Sequence, residues 1–410
     1  MKSSQSRSSL FPLHLASFLG DLLLSLMIVA SVLVGTTLGL PGWQVGLLAS
    51  AYGSSYLFAA IFMGYLSDKI GSKASMILAT SGISATGVLM FLFPTNFFLI
   101  FIGELVVGIL NGFYWPSIEA LTSQLSIGDA HRSGISKFCI SWSLGYMLGP
   151  FLAPVLDDVF PAISFLLVSV ISGINLLIAT IFLPTEKIDH ALKVEVYDHP
   201  THSCVINHPY APISGKTNGR MDKMLFTTSV VYILLAATYS FTKGFVVGIF
   251  PDIAKGEEFR GWGGMQTGVI LAVFGMARTL AFVIHGRTKQ ENYRLTVIYS
   301  ALLPASMMLL VISREYWYTM IVLAITGFLT GLVYGNALDS LMKVNQEAKG
   351  FVAGWFESTM GIGAFASAMI GGISLDAGGE LLAYISIGLI TLSLAVASSL
   401  LKTCSMKWAK

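Results

Sequence analysis

Gly64-Tyr65-Leu66-Ser67-Asp68-Lys69-Ile70-Gly71-Ser72-Lys73 is a short charged stretch set between two long apolar ones. Gly64 has no side chain and permits close packing at a helix end. Gly71 tolerates the positive φ that a tight chain reversal needs. Asp68 is suited to accept hydrogen bonds from the amides of a helix N-terminus, here those near Lys349 and Gly350. Such a contact would hold one side of the protein shut in one state and break in another. Lys69 and Lys73 add positive charge on the same side.

Outward from this loop the chain is largely apolar. Hydrophobic residues make up 54% of the 410 and charged residues 11%, where a soluble domain carries about 25% charged. A soluble fold could not bury that much apolar surface, whereas a bilayer can. About twenty apolar residues cross ~30 Å of hydrocarbon as a helix. Twelve such stretches occur, near 11–34, 44–66, 74–93, 96–121, 134–156, 160–183, 223–250, 265–285, 294–313, 316–342, 350–373 and 380–401. Met1 to Ser9 is polar and leads into a stretch too long for a signal-peptide core, so the first span is expected to be uncleaved. Short connections carry turn residues, as in Gly39-Leu40-Pro41-Gly42 and at Asp157-Asp158 before Pro161. The fold class expected is an all-α polytopic membrane protein. Residues 1–183 form an N-terminal six-helix bundle, 184–222 a cytoplasmic linker and 223–410 a C-terminal six-helix bundle.

Of the 24 Lys and Arg, only Lys255, Arg260 and Arg314 fall outside when both termini are placed in the cytoplasm, and Lys137, Lys243 and Arg278 fall inside spans. The rest are cytoplasmic, so the expected location is the plasma membrane with both ends inside. A net charge of +2 offers nothing to nucleic acid. Cys139, Cys204 and Cys404 are too far apart in sequence to suggest a disulfide framework.

The halves echo each other. Span four carries Gly108, Gly112 and Pro116, and span ten Gly327, Gly331 and Gly335. Span five has Gly134 and Gly145, and span eleven Gly350 and Gly361, at the same separation. Glycines at such spacings let helices approach closely in lipid. Repeated halves around a midplane site are a transporter pattern.

The loop opening this section resembles the signature loop of the major facilitator superfamily. Gly64, Asp68, Lys69, Gly71 and Lys73 match it, while Ser72 stands where a second basic residue is usual. The six-and-six division and Gly145-x-x-x-Gly149-Pro150 in span five fit the same family. The resemblance implies two pseudo-symmetric six-helix bundles around a cavity and a secondary transporter working by alternating access, with the loop as a gating motif. Two departures stand out. The corresponding second-half loop, Gly286-Arg287-Thr288-Lys289, lacks the acid. The span-four motif has Glu104 where the family usually has Arg, so the usual proton-coupling scheme does not carry over.

A charge at the bilayer centre costs ~3 kcal/mol on insertion scales, so each one calls for a partner, a wet cavity or a ligand. His14, Ser17, Asp21 and Ser25 share one face of span one, which is expected to face a cavity. Glu104 heads a second stripe with Asn111, Trp115 and Glu119. Asp21 and Glu104 are the expected proton-coupling residues. Lys243 shares a face with Tyr232 and Tyr239. Arg278, near the middle of span eight, cannot lose its proton and is expected either to hold an anionic solute or to pair with a carboxylate across the cavity. The expected solute contacts are therefore Arg278, Lys243, Tyr239, Tyr232, Asn111 and Trp115. Glu119, Lys137, Asp339 and Glu357 are expected to form a charge network on the cytoplasmic side.

The linker holds Pro184, Pro200, Pro209 and Pro212, and also His190, His199, His202, Cys204 and His208. Their spacing matches no strong zinc pattern, so an ordinary linker is expected, with neither metal nor cofactor. A phosphate-binding loop, a nucleophile elbow and a His-Glu-x-x-His helix are all missing, which argues against an ATP-driven pump or an enzyme. The leading expectation is a monomeric, proton-coupled transporter of a small organic solute with an anionic group. The alternative is a proton-driven exporter of amphipathic or cationic compounds. A transporter-derived sensor and an intramembrane enzyme are the remaining readings.

Overall fold

The structure is a computed structural model that describes residues 3–125, 130–160, 162–183, 219–287, 293–344 and 349–409. Its helices are α1 (Ser3–Thr37), α2 (Gly42–Ile70), α3 (Ser72–Leu92), α4 (Phe97–Leu125), α5 (Ala130–Val159) and α6 (Ile163–Phe182), followed by α7 (Gly219–Gly248), α8 (Phe250–Lys255), α9 (Gly264–Arg287), α10 (Tyr293–Leu309), α11 (Tyr316–Val344) and α12 (Lys349–Ala409). The described residues contain no strand. In lipid every backbone group must be satisfied within its own segment, and helices achieve that.

Among the described residues, ten helices are long and apolar enough to cross a membrane. Two features separate that number from the twelve stretches read in the sequence. Helix α10 has only 17 residues. Helix α12 runs for 61 residues but is broken at Gly378 and Gly379, where Gly379 takes φ 66°. That positive φ suits glycine and turns the chain between Asp376 and Glu380. Counting α10 and both arms of α12 recovers twelve apolar segments. The short α8 was not anticipated; it is a single buried turn with Pro251 near its start.

The packing repeats. Helix α1 lies on α5 as α7 lies on α12. Helix α2 lies between α4 and α12, and α9 lies between α11 and α5. Glycine makes these approaches possible. Gly108 and Gly112 of α4 face Tyr52 and Ala59 of α2, and Gly327 and Gly331 of α11 face Phe274 and Arg278 of α9. A further match escaped the sequence reading. Gly42, Gly46 and Gly53 of α2 and Gly264, Gly268 and Gly275 of α9 share one spacing. Each set faces a helix of the other half. A Cβ on Gly46 would lie 2.6 Å from the Ala368 carbonyl, and one on Gly268 2.5 Å from that of Phe151.

In the charged loop, Gly71 has the positive φ expected of it, 90°, and its amide donates to Ser67 O at 2.9 Å. Lys73 Nζ donates to the Leu183 carbonyl at 2.9 Å, just beyond the end of α6. The side chain of Asp68 lies outside the described ones, as do residues 184–218 with their histidines and Cys204.

Overpacking at a tight crossing destabilises by about 1–3 kcal/mol. Gly46→Leu is therefore expected to lower the thermal unfolding midpoint in detergent. Gly173→Ala, whose Cβ would meet nothing nearer than Ser84 Oγ at 4.0 Å, is expected to leave it unchanged.

Candidate functional site

Between α1–α6 and α7–α12 lies a cavity of about 110 Å³. A water molecule takes up about 30 Å³ of liquid, and pockets for drug-sized ligands run to about 300–1,000 Å³. In this conformation the cavity is contracted and must widen to admit an organic solute.

Its charged wall residues are Asp21 of α1, Glu119 of α4, Lys243 of α7 and Glu357 of α12. Asp21 is only 7% exposed and lies within electrostatic reach of Lys243, Arg278 and Glu357. Its expected stripe divides. Ser17 and Ser25 are fully buried and bond back to the Leu13 and Asp21 carbonyls at 2.7 and 2.6 Å, leaving Asp21 as the member on the wall. Lys243 stays inward, with Nζ 4.4 Å from the Tyr146 ring centre. Glu357 accepts a hydrogen bond from Tyr56 Oη at 3.1 Å, across the two halves. Of the expected charge network, Glu119 and Glu357 meet at the cavity, whereas Lys137 is exposed and Asp339 is half-buried off the wall.

The uncharged wall is part aromatic and part aliphatic, with Leu24, Ile28, Val247 and Met360 among its aliphatic members. Tyr52 and Tyr56 stack at 5.4 Å. Tyr334 touches Trp142, Tyr239, Phe282 and Phe356, joining α5, α7, α9, α11 and α12. Trp115 is on the wall as expected. Sequence reasoning missed Trp142 and Tyr146, and Tyr52 and Tyr56. Each pair is spaced by four on one helix, a signal that was available.

Four of the expected proton-coupling and solute-contact residues lie off the wall. Glu104 is fully buried and accepts from Ser31 Oγ at 2.5 Å, so it belongs to the contact between α4 and α1. Asn111 donates to the Val107 carbonyl of its own helix at 3.0 Å. Tyr232 packs against Tyr293. Arg278 is fully buried, lies 4.6 Å from the Tyr146 ring centre, and donates to Tyr239 Oη at 3.5 Å. Its Nε and Nη2 have no hydrogen-bond partner among the described residues.

At the face where α1 ends and α2 begins, polar contacts join the halves. Asp376 accepts from the Gly42 and Trp43 amides at 2.6 and 2.7 Å, and Asp158 accepts from the Gly264 amide at 2.7 Å. In both cases a carboxylate meets the positive end of a helix. Lys255 Nζ lies 2.7 Å from both Asp157 and Asp158, and Thr36 donates to Asp252 at 2.7 Å. These contacts seal the cavity at that face.

The sequence model of the family described as Major Facilitator Superfamily matches residues 11–368. Quinolone resistance protein NorA of Staphylococcus aureus (strain MRSA252) is 20% identical over 388 residues, covering 92% of this chain and 93% of NorA. The crystal structure of the nucleoside transporter NupG superposes with a TM-score of 0.65 at 16% identity, covering 98% of this chain and 99% of NupG. That of the human organic anion transporter MFSD10 gives 0.64 at 17% identity, covering 96% and 99%. At these identities the two structures speak for the fold alone.

Hydrogen bonds to charged groups contribute about 1.5–3 kcal/mol each. Removing the carboxylate of Asp376 together with the charge of Lys255 is therefore expected to speed modification of Ala49→Cys, on the cavity wall, at least about tenfold. The readout is the rate with a membrane-impermeant maleimide supplied at the sealed face, in a background without the native cysteines. An unchanged rate would show that these groups do not hold the seal.

Proposed function

The chain belongs to the major facilitator superfamily, a transporter and not an enzyme, and from that premise we propose that it carries a small organic anion across the plasma membrane together with protons. The observation that supports this reading is the pair of second-half cations at the cavity. Lys243 is on the wall, and Arg278 lies one ring behind it with two unpartnered nitrogens. A buried guanidinium cannot discharge by losing its proton, and none of the ion pairs among the described residues includes it. Its charge favours an anion in the cavity, and Lys243 supplies the contact.

Asp21 faces those cations and is the proposed proton-coupling residue, with Glu119 and Glu357 on the same wall. Proton loading at Asp21 would strengthen the positive field at Lys243 and favour anion binding; proton release would favour its departure. Glu104, bonded to Ser31, is assigned a packing role in place of proton coupling. The bundles 1–183 and 223–410 rock about the cavity in a monomer with both termini cytoplasmic. The sealed face is then external. The loop with Asp68 serves as the gate on the opposite side.

A second reading has its own support. Three carboxylates on an aromatic wall suit a cationic amphipathic compound, and NorA carries the name quinolone resistance protein. In proteoliposomes with an imposed pH gradient, accumulation of organic acids is the expected result, and expulsion of lipophilic cations with no organic acid flux would favour the second reading. Lys243→Gln and Arg278→Gln are each expected to lower organic acid uptake at least about tenfold, the equivalent of about 1.4 kcal/mol, with normal folding by size-exclusion chromatography. Undiminished uptake in both would defeat the assignment.

A further inference from the structure

Arg278 acts on the cavity without lining it. Three wall residues stand against its guanidinium. The Tyr146 and Trp142 ring centres lie 4.6 and 5.9 Å from Cζ, and Nη1 donates to Tyr239 Oη at 3.5 Å. The guanidinium is fully buried, with Nε and Nη2 unpartnered among the described residues. Lys243, by contrast, lines the cavity, and its Nζ lies 4.4 Å from the same Tyr146 ring. One ring therefore touches both cations, one on the wall and the other behind it. Cation–π contact steadies a desolvated cation but leaves its N–H donors in the ring plane unused.

We propose that Tyr146 sets the charge selectivity of the site: its ring screens Arg278, so that a solute meets Lys243 alone and carries a single anionic group on a flat apolar body. The inference rests on the organic-anion reading above. A guanidinium presents a planar fork of donors that grips a carboxylate through two parallel bonds. Left open, it would add a second anion subsite beside Lys243 and admit dianions. With the ring in place, the second carboxylate of a dianion would face the Tyr146 ring in place of the guanidinium fork and would lose its water without a charged donor in return. The flat body follows from the other walls. Tyr52 and Tyr56 stack with only 14° between their planes, and flat aromatic surfaces favour an offset-stacked ring.

Tyr146 could instead serve packing alone, and the two roles differ in what its removal does. A packing residue, once truncated, weakens all ligands together. A screen, once truncated, adds a ligand class. Benzoate and phthalate are suitable probes, at a pH where both phthalate carboxylates are ionised, with binding to the purified protein read by titration calorimetry. The wild type is expected to bind benzoate at least about tenfold more tightly than phthalate. Tyr146→Phe should keep that ratio. Tyr146→Ala should shift it toward phthalate at least about tenfold, and adding Arg278→Gln should remove the shift. Equal wild-type affinities would overturn the proposal without any variant. An unshifted ratio in folded, benzoate-binding Tyr146→Ala would overturn it and leave the organic-anion reading standing. Binding of neither probe by the wild type would bring down both.

Discussion

A permanently charged guanidinium, buried to zero exposure at the centre of a membrane protein, constrains everything around it. Each hydrogen bond denied to a buried polar group costs about 1–3 kcal/mol, and more for a charged one. Arg278 leaves two nitrogens without partners. Its ring contacts return about 2 kcal/mol when desolvated, which does not cover the deficit. The surroundings reflect this imbalance. Gly331 of α11 closes on the Arg278 carbonyl, and Ser143 and Thr279 meet at 2.8 Å to join α5 to α9 beside it. Asp21 supplies opposite charge from the facing half, at electrostatic range rather than in an ion pair. An arrangement held short of neutrality suits a site that must accept a charge and later release it.

The seal follows a different logic, because its charges meet partners across the halves. Two carboxylates meet two helix N-termini, and behind each stands the same set of three glycines. Backbone contact at the glycines gives a firm fit, while polar contacts such as those of Asp376 with Trp43 and Asp158 with Lys255 lie near water, where they can exchange for hydration. A surface closed in this way reopens without exposing much apolar area. The charged loop from Gly64 to Lys73 has the composition for a similar device on the other face, an acid beside a helix start, with Gly71 at φ 90° making the turn. Opposed seals of moderate strength, with an unbalanced charge between them, are what alternating access requires.

Much of the fold was legible because lipid makes few demands. Apolar length marks a span, and Gly and charge mark its ends. The break between the expected spans 350–373 and 380–401 falls at Gly378 and Gly379, between Asp376 and Glu380, and α10 lies within a residue of the start of the expected span 294–313; the short α8 was the element without a sequence signal. The site was less legible, for one physical reason. A polar stripe on a helix shows which face is buried but not what it is buried against. Asp21 met the cavity, whereas Glu104, read by the same rule, met Ser31 on a neighbouring helix. Arg278 was recognised as a charge needing a partner, but its position behind Tyr146 depends on how α5 and α9 pack. Tyr146 directly follows Gly145, whose missing side chain lets α5 close on α1, so the residue's position on the cavity wall follows from that packing.

The most direct measurement of the central claim is an experimental structure with a bound aromatic carboxylate. The carboxylate is predicted to lie within hydrogen-bonding distance of Lys243 Nζ, about 2.7–3.2 Å, with the ring among Tyr52, Tyr56 and Trp142 and Arg278 still behind Tyr146. A solute bound instead through a cationic group against Asp21 or Glu357, with Lys243 turned away from it, would contradict the assignment of the second-half cations as the anion site.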